Sequence, residues 1–106
     1  MTTQLLPDIR VRVRLRTVEE GGRQKGEIPP VQFGCPFVFE GEMFDCRLLL
    51  DQVGTTLQPG ASYERIPVKF LFPDLVKPRL SPGASFKLWD GREIADGEVT
   101  EVVANT

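Results

Sequence analysis

The sequence predicts an all-β domain, a six-stranded antiparallel closed β-barrel, and three observations carry that expectation. Apolar and polar residues alternate in several short runs, as they do on strands with one buried face. Ten glycines and nine prolines among 106 residues supply many turns. No window of about 10–12 residues holds an i, i+3, i+4 apolar spacing with caps, so no helix is expected. Closure is favoured over a sandwich because a domain this small cannot easily guard open sheet edges. The length fits one domain, expected over residues 8–103 between tails at 1–7 and 104–106.

The first strand is the clearest. In Ile9-Arg10-Val11-Arg12-Val13-Arg14-Leu15-Arg16 every odd position is apolar and every even one is arginine. A strand buries the first set and exposes the second, whereas a helix would scatter both around its circumference. Glu19-Glu20-Gly21-Gly22-Arg23 then reverses the chain, and the stretch to Pro29-Pro30 has no period and reads as a loop. Val31, Phe33, Cys35, Phe37 and Phe39 share one face of a second strand, with Pro36 implying an edge, a bulge or two pieces. Phe44, Cys46, Leu48 and Leu50 mark a third. After Gln58-Pro59-Gly60 a fourth spans residues 63–72, with Pro67 again at an edge or bulge, followed by an irregular link through Pro78 and Pro82-Gly83. Ser85-Phe86-Lys87-Leu88-Trp89 is the fifth, Asp90-Gly91 a hairpin signal, and the sixth runs to about Val103, with Gly97 at a bulge or a close approach.

Composition excludes several chemistries. Without histidine, this chain alone builds no Ser-His-Asp triad, Cys-His pair or histidine metal site. Two cysteines are too few for a disulfide framework or a tetrahedral zinc site. Residues 1–7 lack a basic stretch followed by an apolar one, and the apolar cluster Phe70-Leu71-Phe72 is stopped at once by Pro73. The expectation is a soluble, cytoplasmic monomer without cofactor, metal or membrane partner. The net charge of -2 conceals a polarised chain, +3 over residues 1–26 and -5 over residues 27–106.

Four ordered motifs resemble one known family. The strand leading into Glu20-Gly21-Gly22-Arg23, the Pro36-Phe37-Val38-Phe39 strand, Pro59-Gly60 with the strand ending at Pro73, and Gly83 to Arg92 followed by Gly97-Glu98-Val99 are similar to the third domain of elongation factor Tu. The resemblance covers about residues 8–103 and implies a six-stranded antiparallel barrel. It also implies a chain that bends, instead of reversing tightly, near Glu40-Gly41. In that family the domain helps hold the T-stem of aminoacyl-tRNA and contacts the exchange factor, both through its surface. No Gly-x-x-x-x-Gly-Lys-[Ser/Thr] phosphate loop occurs in the sequence, so GTP binding is not expected.

Candidate sites follow from these readings. Arg10, Arg12, Arg14 and Arg16 stand about 6.6–6.8 Å apart along one face and could dock RNA phosphates; alternatively they pair across strands with carboxylates such as Glu98 and Glu101. By resemblance, Arg23 and Gln24 with Asp90, Gly91 and Arg92 match loops near the tRNA, although turn geometry alone explains their glycines. If Glu40-Gly41 is a two-residue turn, Cys35 faces Cys46; the two then fill core space as reduced thiols or close as a redox clip. Trp89 and Asp90 at a hairpin tip are candidate partner anchors, or Trp89 fills a barrel end. Asp90, Glu93, Asp96, Glu98 and Glu101 have no pocket motif to pair with and read as a solvated hairpin, not as catalytic carboxylates. The expected function is a non-catalytic binding module contacting structured, tRNA-like RNA. The alternative is a protein-interaction module: an elongation-factor mimic, an immunity protein or a regulatory protein.

Overall fold

A computed structural model describes residues 5–104; the outer parts of both expected tails, 1–4 and 105–106, lie outside the described residues. Six strands, β1 (Ile9–Leu15), β2 (Gln32–Phe39), β3 (Glu42–Leu49), β4 (Ser62–Phe70), β5 (Ser85–Trp89) and β6 (Glu93–Val102), form an all-antiparallel closed barrel in the order β1-β4-β3-β2-β5-β6. Every strand therefore has two neighbours, although β5 covers β2 only at Phe37 and Val38. Ile9, Val11, Val13 and Leu15 are fully buried, as the alternation in β1 requires.

Three departures from the sequence reading have local causes. Helical turns are present: α1 (Leu50–Val53), α2 (Pro73–Val76) and a 3-10 turn at Lys77–Arg79. Leu50 belongs to α1 and not to β3; the chain leaves the sheet there, so Leu48, Leu49 and Leu50 are all buried and the two-residue period breaks. β4 ends at Phe70, two residues short of the expected limit, because Pro73 opens α2 with a proline and an acidic residue in its first turn. Val31 precedes β2 and is exposed, its N–H bonded to the Pro29 carbonyl at 2.8 Å.

Both in-strand prolines sit where one neighbour is missing. β5 pairs with β2 only at Phe37 and Val38, beyond Pro36, and β3 pairs with β4 only from Val68, beyond Pro67. Between Val11 and Val13 the partner strand inserts an extra residue, a bulge that holds Arg65 at a φ of 57°. At the β2–β3 hairpin, Glu40 (φ 50°) and Gly41 (φ 79°) make a tight two-residue reversal. That corrects the bent chain implied by resemblance.

Phe37 organises the core, stacked on Phe86 at 4.3 Å and edge-on to Phe70 at 5.0 Å. Gly97 of β6 is a close-approach point: a Cβ there would lie 2.2 Å from the Phe86 ring. Among the described residues one charge is buried with the core. Asp8, fully inaccessible, accepts hydrogen bonds from the Phe70 N–H at 2.8 Å and from Lys69 Nζ at 3.1 and 3.2 Å. At the far end of the hairpin Arg79 reaches Glu40 (3.0 Å) and Glu42 (2.7 Å) and lies over the Phe39 and Phe44 rings, pinning the link after β4 onto the β2–β3 turn. No helix among the described residues is long and apolar enough to cross a membrane.

Candidate functional site

Arg10, Arg12 and Arg14 lie on the outward face of β1 and Arg16 just beyond its end, and each meets a carboxylate. Arg10 pairs with Glu101 at 2.9 Å, Arg12 with Glu64 at 2.6 Å, Arg14 with Glu20 at 3.0 Å, and Arg16 with Glu93 at 3.0 Å and Asp96 at 2.8 Å. Of the two partners expected from sequence, Glu101 is used. Glu98 stands opposite Arg12 in register, but Arg12 turns to Glu64 beside the β4 bulge, and Glu98 acts on it only through its field. Arg12 and Arg14 still keep 52% and 39% of their side-chain surface open to solvent.

These contacts shift two acids strongly. Glu20 is lowered from 4.5 to about 2 by the Thr17 N–H and by Arg14, and Asp96 from 3.8 to about 2 by Arg16 and Lys87. A carboxyl depressed on folding stabilises the fold above its unfolded pKa, and that contribution fades as pH falls through the folded value. The melting temperature is therefore expected to drop between about pH 4.5 and 2, and Asp96→Asn to shrink that drop; melting curves across this range check it. At neutral pH the same variant costs about 1 kcal/mol or less, because the pairs are solvated.

The expected loop residues occupy one end of the barrel, where Leu15 faces Ala95 and the Arg16 N–H bonds the Ile94 carbonyl at 2.8 Å. Arg23 turns back on its own loop: its Nη1 donates to the Glu27 carbonyl at 2.9 Å, its guanidinium lies over Phe33, and its buried Nε has no partner. Gln24, Asp90 and Arg92 are exposed, and Trp89 is half-buried. Neither Trp89 nor Arg92 makes an ion pair or ring contact among the described residues.

A second surface was not anticipated from the sequence. Leu71, Phe72 and Leu75 are 60%, 61% and 63% exposed within five residues, and Leu71 forms one wall of a cleft of about 560 Å³. The cleft is bounded by Leu5, Pro36, Phe70 and the two cysteines, with Arg47, Asp45 and Lys69 around it. The Gln52 amide donates to the Leu5 carbonyl at 2.7 Å and holds the chain there against the barrel. Cys35 and Cys46 face each other in register, both free and buried. Pro73-Asp74 is a helix-start signal that would have revealed this segment, since it takes Leu71 and Phe72 out of the strand and onto the surface.

No protein-family model matches the chain, and no curated protein matches it either.

Proposed function

We propose that this chain is a non-catalytic binding module whose partner is a protein, seated on residues 71–75 and the cleft beside them. The observation that carries the reading is the exposure of Leu71, Phe72 and Leu75, each about three-fifths open to water within one short segment. Contiguous apolar side chains on a small domain cost solvation unless something covers them, and aromatic and aliphatic anchors beside a cleft are what protein interfaces use. The arginine face supports this choice indirectly, because its guanidiniums are already engaged by carboxylates with which a phosphate would have to compete. The resemblance to the third domain of elongation factor Tu fits a role exercised through a surface, and a mimic that competes with the factor for its partners is one form of the proposal. A cytoplasmic setting is part of the same reading.

RNA binding through Arg10, Arg12, Arg14 and Arg16 is the second reading, favoured by four guanidiniums along β1 and just beyond its end, with two of them substantially open. Affinity purification from native lysate, with and without nuclease, separates the two. Protein binding is expected to be nuclease-resistant and salt-tolerant. It should be lost in Phe72→Glu plus Leu75→Glu, while stability stays within about 0.5 kcal/mol of the parent, because these side chains are already exposed. Retention on RNA at ~50 mM salt that vanishes near ~200 mM, and fails in Arg12→Glu plus Arg14→Glu, would overturn that reading in favour of RNA.

A further inference from the structure

We propose that Cys35 and Cys46 form a dithiol–disulfide site, oxidised by low-molecular-weight disulfides of the glutathione class when the β2 edge beside Cys35 opens. The pairing begins at the turn. With Glu40 and Gly41 as the two loop residues, Phe39 and Glu42 close the hairpin, and the ladder runs without a slip to Cys35 opposite Cys46. Antiparallel pairs alternate between bonded and non-bonded, so counting back from Phe39 and Glu42 makes Cys35 and Cys46 a hydrogen-bonded pair. Two contacts agree with that count. Pro36, which has no N–H to give, falls on a non-bonded position, and the Asp45 carbonyl points away from β2 to accept from the Leu71 N–H at 3.0 Å.

At such a pair the Cα atoms are ~5.5 Å apart, within the ~4.4–6.8 Å span of disulfides. Both side chains project to the same face, where both residues are buried. As a hydrogen-bonded pair their Cβ atoms stand toward the wide end of the ~4.5–5.5 Å range before bonding, against ~3.8 Å in a typical disulfide. Closing the bond therefore draws the strands together by roughly 1–2 Å. β2 can yield there, because β5 holds only Phe37 and Val38 and leaves the Cys35 half of β2 to β3 alone. A bond made at this cost is readily reduced again, which suits a reversible site better than a permanent staple.

Both thiols lie within the core, 7% and 4% exposed, so a small disulfide reaches them only when the half of β2 that β5 leaves unpaired opens. The cleft of about 560 Å³ runs past both cysteines, with Arg47 and Asp45 on its rim and Lys69 engaged by Asp8. Cys35 lies on the half of β2 that only β3 holds, whereas Cys46 is held between β2 and β4. The Cys46 thiol is also pushed up by the hydrogen bond with Cys35 and by burial, so Cys46 acts second. The Cys35 thiolate attacks one sulfur of R–S–S–R, giving Cys35–S–S–R and releasing one R–S⁻. Cys46 then loses its proton, and its sulfur displaces the second R–S⁻ from Cys35. Two protein thiols are oxidised, one small disulfide is reduced, and the two thiol protons end on two RSH.

The test uses the whole chain, incubated with glutathione disulfide at mildly alkaline pH, quenched in acid, alkylated unfolded and weighed. The expected product is a monomer lighter by two hydrogens that takes up no alkylating agent and regains both thiols with dithiothreitol. Cys46→Ser should stop at a mixed disulfide, heavier by one glutathione arm, and Cys35→Ser should remain unmodified. Two free thiols after long incubation, a disulfide-linked dimer, or a wild-type mixed disulfide that never resolves would overturn the proposal. None of these readouts depends on the partner proposed above, so the two inferences fail separately.

Discussion

Gly97→Ala is expected to cost about 3 kcal/mol or more and to leave little folded protein at physiological temperature. The added Cβ would sit 2.2 Å from the Phe86 ring and 2.7 Å from its flanking carbons, far inside contact distance. That ring cannot swing aside, because its other face is stacked on Phe37 at 4.3 Å and Phe37 is itself braced edge-on by Phe70. Overpacking a core commonly costs about 1–3 kcal/mol, and here the intruding atom meets a ring with no free side. Urea denaturation of Gly97→Ala, Phe86→Leu and the double variant checks the cause. Phe86→Leu alone should destabilise by leaving a void, and the double variant should be more stable than the sum of the two losses allows. Simple additivity would place the damage elsewhere than at this contact.

The second large effect is at Asp8. Asp8→Ala is expected to destabilise by about 2–3 kcal/mol, because it leaves a buried N–H unpaired and strips a partly exposed lysine of its counterion. The carboxylate is fully inaccessible, joins Lys69 to the start of the chain's first strand, and receives the Phe70 N–H. Without it the Phe70 N–H is left unpaired and the partly exposed Lys69 loses its counterion. Asp8→Asn keeps an oxygen for the Phe70 N–H and should lose distinctly less. Equal losses for the two variants, measured by chemical denaturation, would show that packing and not polar satisfaction is at stake.

The barrel was legible where the physics is local. Four apolar residues at odd positions with four arginines between them can only be a half-buried strand, and the Glu40-Gly41 turn sets the facing of Cys35 and Cys46 from sequence arithmetic. Gly97 was recognisable as a bulge or close approach, but which ring approaches it depends on Phe86 lying across from it on β5. Long-range pairings left no local trace. Nothing near Asp8 marks it as buried, since the groups that satisfy it lie 61 and 62 residues away. Arg12 finds Glu64 only because a bulge in β4 turns that carboxylate outward, and bulges leave a weak signature in sequence. The apolar segment after β4 was hidden by its own alternation, which continues to Phe72 although the hydrogen-bonded ladder does not.

Asp8 and Val103 flank the seam where β1 meets β6, the Val103 N–H donating to the Asp8 carbonyl at 2.9 Å. The chain thus enters and leaves the barrel at a single point on adjacent antiparallel strands. Tension applied through the two ends would pull along the ladder's hydrogen bonds, not across them. It would load them one at a time from Ile9 and Val102 inward, like a zip. The closed barrel would therefore yield to modest force, opening first at the seam between its first and last strands.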